Sequence, residues 1–273
     1  MIYYRHQDQM GLGDNIINLS VLLHLAKKEN QLVKVSTNDF ITNNVYTTLK
    51  RVFGISDQVL MVAHENESIV PPDAQVVTDL RQRWNLDLDV PYITASTLRL
   101  FGQDFSNIKK PTYPYIGIAT RSLINHENWP NGAHPYHRYH SLDDWQKVKR
   151  LVSLAGYDII SFDSNATTIE QKIFLLTQFC DGVIAYEGGM AHLCHSLSIP
   201  VILTPWQFYS DGSPYVSNFD KDEDLCRLHK DKRTWFLNHI DQLSSMTPSQ
   251  LQDLILSLKH NGGNNLMRNQ INS

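Results

Sequence analysis

Short apolar runs rich in β-branched and aromatic residues alternate with longer segments whose apolar residues recur at helical spacing, and this alternation constrains the chain more than any other feature. It is the signature of layered α/β folds, in which helices cover the faces of a mostly parallel sheet. Residues 2–5, 32–36 and 58–62 read as strands. Between the first two, residues 15–29 carry Ile16, Leu19, Leu23 and Ala26 at helical spacing and end in Lys27-Lys28, which suits the negative end of a helix. Residues 38–52 form a second helix, expected to open on Asn38 as its capping residue.

The pattern breaks at residues 107–114, where Lys109-Lys110-Pro111-Thr112-Tyr113-Pro114 joins charge to two prolines that neither a helix nor a central strand accepts easily. It then restarts. Strands are expected at 115–119, 158–162, 182–185 and 201–203, with helices at 142–155, 168–178 and 189–197, which predicts a second parallel, doubly wound sheet. Thr247-Pro248-Ser249-Gln250 opens a last amphipathic helix that runs to about residue 259, with Pro248 at its first position. The expected organisation is an N-terminal Rossmann-like domain at 1–112, a C-terminal one at 113–260, and a flexible Gly/Asn-rich tail at 261–273. Ligands of such sheets sit at the carboxyl ends of the strands, so two of these domains are expected to face each other across a cleft.

Composition narrows the class. The 273 residues carry 24 Lys and Arg against 28 Asp and Glu, a net charge of -4, with 42% hydrophobic residues, an ordinary globular balance that argues against disorder, collagen and coiled coil. No run approaches the ~18 apolar residues of a membrane span, and Met1-Ile2-Tyr3-Tyr4-Arg5-His6 lacks the pattern of a signal peptide. A cytoplasmic protein without integral membrane association is expected. Cys180, Cys194 and Cys226 are odd in number and contain no C-x-x-C, so neither a disulfide framework nor a zinc knuckle is expected. Two basic groups, Lys147, Lys149 and Arg150, and Lys230, Lys232 and Arg233, read as solvated faces, with a local nucleic-acid groove as the alternative.

Two segments are placed to carry chemistry. Gly11-Leu12-Gly13-Asp14-Asn15 lies between the first strand and the first helix, where glycines permit a tight turn and leave amide donors free. Asp14 is either a general base or, with Asn15, a helix cap. Residues 181–193 deliver Glu187 at a strand end, after which Gly188, Gly189 and Met190 open a helix whose amides and dipole suit a pyrophosphate. Glu187 either accepts hydrogen bonds from sugar or ribose hydroxyls or caps that helix. His192 and His195 share one helix face and read as packing. Weaker patterns are His134, His137 and His140 with Asp143 and Asp144, a metal set whose proline argues for a loop, and Asp87-Leu88-Asp89, read as a polar turn. Trp206, Phe208 and Tyr209 either stack a ring or pack.

Taken together, these segments resemble the heptosyltransferase-like nucleotide-sugar glycosyltransferases (glycosyltransferase family nine) of the GT-B fold. Gly13-Asp14-Asn15-Ile16-Ile17 is similar to their N-terminal G-D-x-h-h element, and residues 183–197 to their strand, acid, glycine and histidine helix. Thr204-Pro205-Trp206 with Gly212-Ser213-Pro214-Tyr215 is similar to their loop ending in G-P-Y, and Met246-Thr247-Pro248 to their terminal segment. The resemblance implies two Rossmann-like domains and an inverting, metal-independent transfer of sugar from a nucleoside-diphosphate sugar, a co-substrate with no further cofactor. It implies Asp14 as base and a donor site of Glu187, Gly188, Gly189, Met190 and His192, with Gly13 in the first loop and Trp206 for stacking. Glu127-Asn128 stand before Trp129-Pro130 where the family carries a basic residue, which leaves Arg121 as the substitute on the donor side. Residues 131–141 read as an insertion. The implied acceptor is an envelope saccharide such as a lipopolysaccharide core. A phage-type transfer to hydroxymethylated DNA and a non-catalytic sugar-nucleotide-binding protein stay open as alternatives.

Overall fold

A computed structural model describes residues 1–6, 11–64, 70–78, 80, 90–95, 98–100, 112–119, 142–162, 168–186, 188–204, 207–210, 213–216, 233–237 and 241–261. The chain divides into two compact units, Met1–Asp104 and Phe105–Ser273.

The first unit runs β1 (Ile2–His6), α1 (Leu12–Glu29), β2 (Val33–Thr37), α2 (Phe40–Val52), β3 (Leu60–His64) and β4 (Gln75–Val76). Its strands lie in the order β3-β2-β1-β4, each pair parallel. Ile16, Ile17, Leu19, Leu22 and Ala26 of α1 are buried, and the helix ends at Asn30 in the left-handed conformation, its amide donating to Ala26 O. Helix α1 starts earlier than its apolar periodicity indicates, because Gly11 is its capping residue and the turn Leu12-Gly13-Asp14 is already helical. In α2 the expected cap Asn38 is displaced by Asp39, whose carboxylate accepts from Thr42 N at 2.6 Å. The physical reason is reach: an N-cap oxygen must meet the amide three residues on, and that residue is Thr42.

The second unit runs β5 (Tyr115–Ala119), α3 (Leu142–Leu154), β6 (Asp158–Ser161), α4 (Ile169–Phe179), β7 (Cys180–Tyr186), α5 (Gly189–Leu197) and β8 (Val201–Thr204). It continues with β9 (Gln207–Ser210), β10 (Ser213–Val216), β11 (Thr234–Phe236), α6 (Asp241–Ser244) and α7 (Pro248–Asn261). The main sheet has the order β11-β8-β7-β5-β6 and is parallel throughout, whereas β9 and β10 form a separate antiparallel pair. Ile116, Ile118, Ile184 and Ile202 from the strands pack with Trp145, Val152, Leu251 and Leu258 from the helices. Two helices open on reciprocal capping boxes, Thr168 with Gln171 and Thr247 with Gln250.

Both sheets are parallel α/β layers with a reversal of strand order. In the first unit the chain steps outward from β1 to β2 and β3, then places β4 on the other side of β1. In the second it steps from β5 to β6, then places β7 on the other side of β5. The carboxyl ends of β1 and β7 therefore border switch points, where helices diverge to opposite faces and leave a crevice for ligands. Among the described residues no helix is long and apolar enough to cross a membrane.

Candidate active site

The chain leaves β1 and enters α1 through Gly11, which is extended and offers the helix no side-chain cap. The first helical bond is Asn15 N to Gly11 O at 3.2 Å. Asp14 is the third residue of α1 and half-buried, so its carboxylate stands at the positive end of the helix dipole and neither it nor Asn15 is the cap. Gly13 is buried beside it.

Beneath the first two turns of α1 lies a polar cluster. Asn18, one turn after Asp14, donates its amide to the Tyr4 hydroxyl at 3.2 Å. The Tyr4 ring stacks on His6 at 5.9 Å, and His6 meets the edge of Tyr46 at 6.1 Å. Tyr4, His6, Asn15, Asn18 and Tyr46 are all buried. The Tyr46 phenol is pushed well above its ordinary range by burial, then by Tyr4, with Asp14's negative charge adding to the effect and Asn18 opposing it. Sequence reading missed this cluster. Its signal was polar side chains at i, i+2 in β1 (Tyr4, His6) and at i, i+4 on α1 (Asp14, Asn18), on faces that should be apolar.

In the second unit, buried Val183, Ile184 and Ala185 carry β7 to the crevice edge. Gly188 follows with φ 142° and ψ -159°, a backbone region open in practice only to glycine. It caps α5 without a side-chain hydrogen bond, and the first helical bond is His192 N to Gly188 O at 3.2 Å. No capping side chain meets the Gly189, Met190 and Ala191 amides from Gly188 itself, so they form a first turn suited to an anion. His192 is buried, its ring 6.2 Å from His195 in an edge-on contact.

Glu187, Arg121 and Trp206 lie outside the described residues, as do His134, His137, His140, Asp87, Asp89, Cys226, Lys230, Lys232 and the 127–129 segment. For Phe208 and Tyr209 the structure describes only the strand β9 they belong to. Among the described residues no group of three or more His, Cys, Asp or Glu is placed to hold a metal. Arg233 donates to Ser198 O at 2.5 Å, satisfying the last turn of α5, while Lys147, Lys149 and Arg150 are exposed on α3. Two of the cavities formed by described residues lie away from these segments. One of about 580 Å³ lies at the amino edge of the second sheet, lined by Cys180, Asp181, Arg233 and Lys259 among others, and one of about 560 Å³ runs along α1 past Leu23 and Lys27 to Tyr92. Neither is lined by Asp14 or by residues 188–190.

No family model matches the chain, and no curated protein does. Among solved structures it is similar to TibC of enterotoxigenic E. coli H10407, described as a bacterial iron-containing dodecameric glycosyltransferase, with a TM-score of 0.48 at 13% identity over 94% of this chain and 75% of that one. It is similar to TibC described as a dodecameric iron-containing heptosyltransferase in complex with ADP-D-beta-D-heptose, with a TM-score of 0.48 at 12% identity over 94% of this chain and 75% of that one. It is also similar to the glycosyl transferase family 9 protein of Veillonella parvula DSM 2008, with a TM-score of 0.49 at 11% identity over 94% of this chain and 96% of that one.

Proposed function

We propose that the chain is an inverting glycosyltransferase that moves a sugar from a nucleoside-diphosphate donor to an acceptor hydroxyl. One observation carries this most: both motif segments open helices at the carboxyl edge of a parallel sheet, beside its switch point, and each helix starts on a glycine with no side-chain cap. The first unit then activates the acceptor and the second binds the donor.

Asp14 takes the proton of the acceptor hydroxyl as its oxygen attacks the anomeric carbon and the bond to the diphosphate breaks. Negative charge gathering on the leaving phosphate meets the first-turn amides of Gly189, Met190 and Ala191 and the positive end of α5, donors already oriented before the reaction. Glycine at 188 keeps a β-carbon out of the approach. Arg121, two residues beyond the end of β5, adds positive charge to the diphosphate, and Glu187 accepts hydrogen bonds from donor hydroxyls. Trp206 stacks on a donor ring, and buried His192 supports the first turn of α5 from within. Amides and dipole stand where other enzymes use a divalent ion, so turnover survives excess EDTA. The acceptor is a saccharide, by resemblance one of the bacterial envelope, and the enzyme works in the cytoplasm.

A thermal-shift screen of nucleoside-diphosphate sugars tests donor binding, since a ligand at 100 times its Kd stabilises by ~2.7 kcal/mol. The donor so found is then offered to Asp14→Asn, which should bind it normally and lose roughly 10²–10⁴ in kcat. Near-normal turnover in that variant, or no stabilisation by any nucleoside-diphosphate sugar, overturns the assignment.

A further inference from the structure

We propose that the cavity along the second half of α1 binds an anionic amphiphile, a single hydrocarbon chain that ends in a phosphate or a carboxylate. Its volume of about 560 Å³ lies within the ~300–1,000 Å³ of small-molecule sites. On α1 it is lined by Ser20, Leu23, His24, Lys27 and Lys28, which recur at intervals of three and four and so form one stripe of the helix. The remaining lining comes from Ile55, just beyond the end of α2, and from residues 91–94. This is a different place from the crevice: Lys27 lies roughly 20 Å further along α1 than Asp14 at the helical rise of ~1.5 Å per residue. Binding here is independent of the transfer reaction.

Two kinds of chemistry meet in this lining. Leu23, Ile55, Tyr92 and Ile93 supply an apolar wall, with Tyr92 and Ile93 buried. Ser20, also buried, gives its proton to Ile16 O at 2.7 Å and accepts from Ile93 N at 3.0 Å, which fastens Ile93 to α1 and leaves the hydroxyl no proton to offer a ligand. Hydrocarbon suits such a wall, where a polar group would lose its water for few hydrogen bonds in return. Lys27 and Lys28 are exposed, and His24, one turn earlier, is half-buried, so two ammonium groups and an imidazole stand toward solvent. Glu29, the exposed acid at the same helix end, is not part of the lining. Positive charge in the last turn also suits the negative end of α1, but that role needs no cavity with an apolar wall beside it. A chain laid along Leu23 with its anionic head at Lys27 and Lys28 uses both.

The probe is monomeric dodecyl phosphate, titrated into the full chain by calorimetry with the melting temperature as a second reading. A single equivalent should bind and raise the melting temperature. With decyl and octyl phosphate, each methylene removed should weaken binding about threefold to fourfold, as expected of ~0.8 kcal/mol per buried CH₂. Dodecyltrimethylammonium, equal in length and opposite in charge, and inorganic phosphate should each bind roughly tenfold more weakly or worse. Lys27→Gln/Lys28→Gln alters two exposed side chains, so the free protein should keep its melting temperature while affinity for dodecyl phosphate falls roughly fivefold or more. Asp14→Asn should bind the probe as the wild type does, so a failed base assignment leaves this result untouched. Sedimentation with phosphatidylglycerol and with phosphatidylcholine vesicles separates two sources of the ligand. Retention on the anionic vesicles that is lost in the lysine variant draws it from a bilayer, and binding of dodecyl phosphate without retention makes it a free amphiphile. No binding of dodecyl phosphate, equal binding of the cationic chain, unchanged affinity in the lysine variant, or a loss in Asp14→Asn overturns the proposal.

Discussion

The ring of Phe162 fills the space in which a β-carbon on Gly117 would lie, and Val183 closes the other side at 3.1 Å. Gly117 sits in β5, an inner strand of the second sheet between β6 and β7, and Phe162 is fully buried. A buried ring cannot swing aside as a flexible chain end would. Gly117→Ala should therefore lose about 1–3 kcal/mol by overpacking, read as a lower urea midpoint at unchanged m. An unaltered midpoint would mean that the sheet opens to admit the methyl.

Gly188→Ala should be harmful for a different reason. The backbone at φ 142° excludes a β-carbon, which costs on the order of 1–3 kcal/mol wherever the loop cannot relax. The strain falls on the turn that aims the first amides of α5, so a nucleoside diphosphate should weaken far more than the free nucleoside. Calorimetry compares the two ligands directly. Equal weakening would place the diphosphate away from this helix.

The thiol of Cys180 is pushed up to about 12 from an ordinary 9.0, first by burial and then by the charge of Asp181, against a backbone hydrogen bond with Gly117. A raised folded pKa favours the protonated thiol, so its stabilising effect is complete below the unfolded value and is lost as pH rises from about 9 toward 12. The melting temperature should fall over that window, and less steeply in Cys180→Ala. Alkylation of native Cys180 at pH 8 should be slow by mass spectrometry. Rapid labelling there would show that the thiol ionises freely.

Lys147, Lys149 and Arg150 are exposed on α3, so DNA as acceptor makes a measurable demand on them. Each phosphate contacted lowers log K by about 0.9 per decade of salt, whereas a largely neutral saccharide releases few ions. With a net charge of -4, label from the donor sugar should enter a truncated core oligosaccharide with little change across ~50–200 mM salt and should not enter hydroxymethylated DNA. Label in the DNA, with a steep loss as salt rises, would replace the saccharide acceptor.

Elements whose signal is complete within one window were legible before any tertiary contact was known. Helix Gly189–Leu197 and strand Tyr115–Ala119 have the bounds that apolar spacing and flanking residues indicate, and the Thr168 and Thr247 caps follow from their own side chains reaching amides three residues on. The places of Asp14 and residues 188–190 at helix starts were legible in the same way, because a strand, a glycine turn and a helix start are local events. Strand Thr234–Phe236 was not, since three residues are too few to show an alternation and it becomes a strand only by pairing with Val201–Thr204. Placing β1 between β2 and β4, and β5 between β6 and β7, required the packing of segments distant in sequence. The cluster of Tyr4, His6, Asn18 and Tyr46 needed it most, for a buried polar side chain is made tolerable by partners from other elements, and nothing in its own neighbourhood along the chain says which they are.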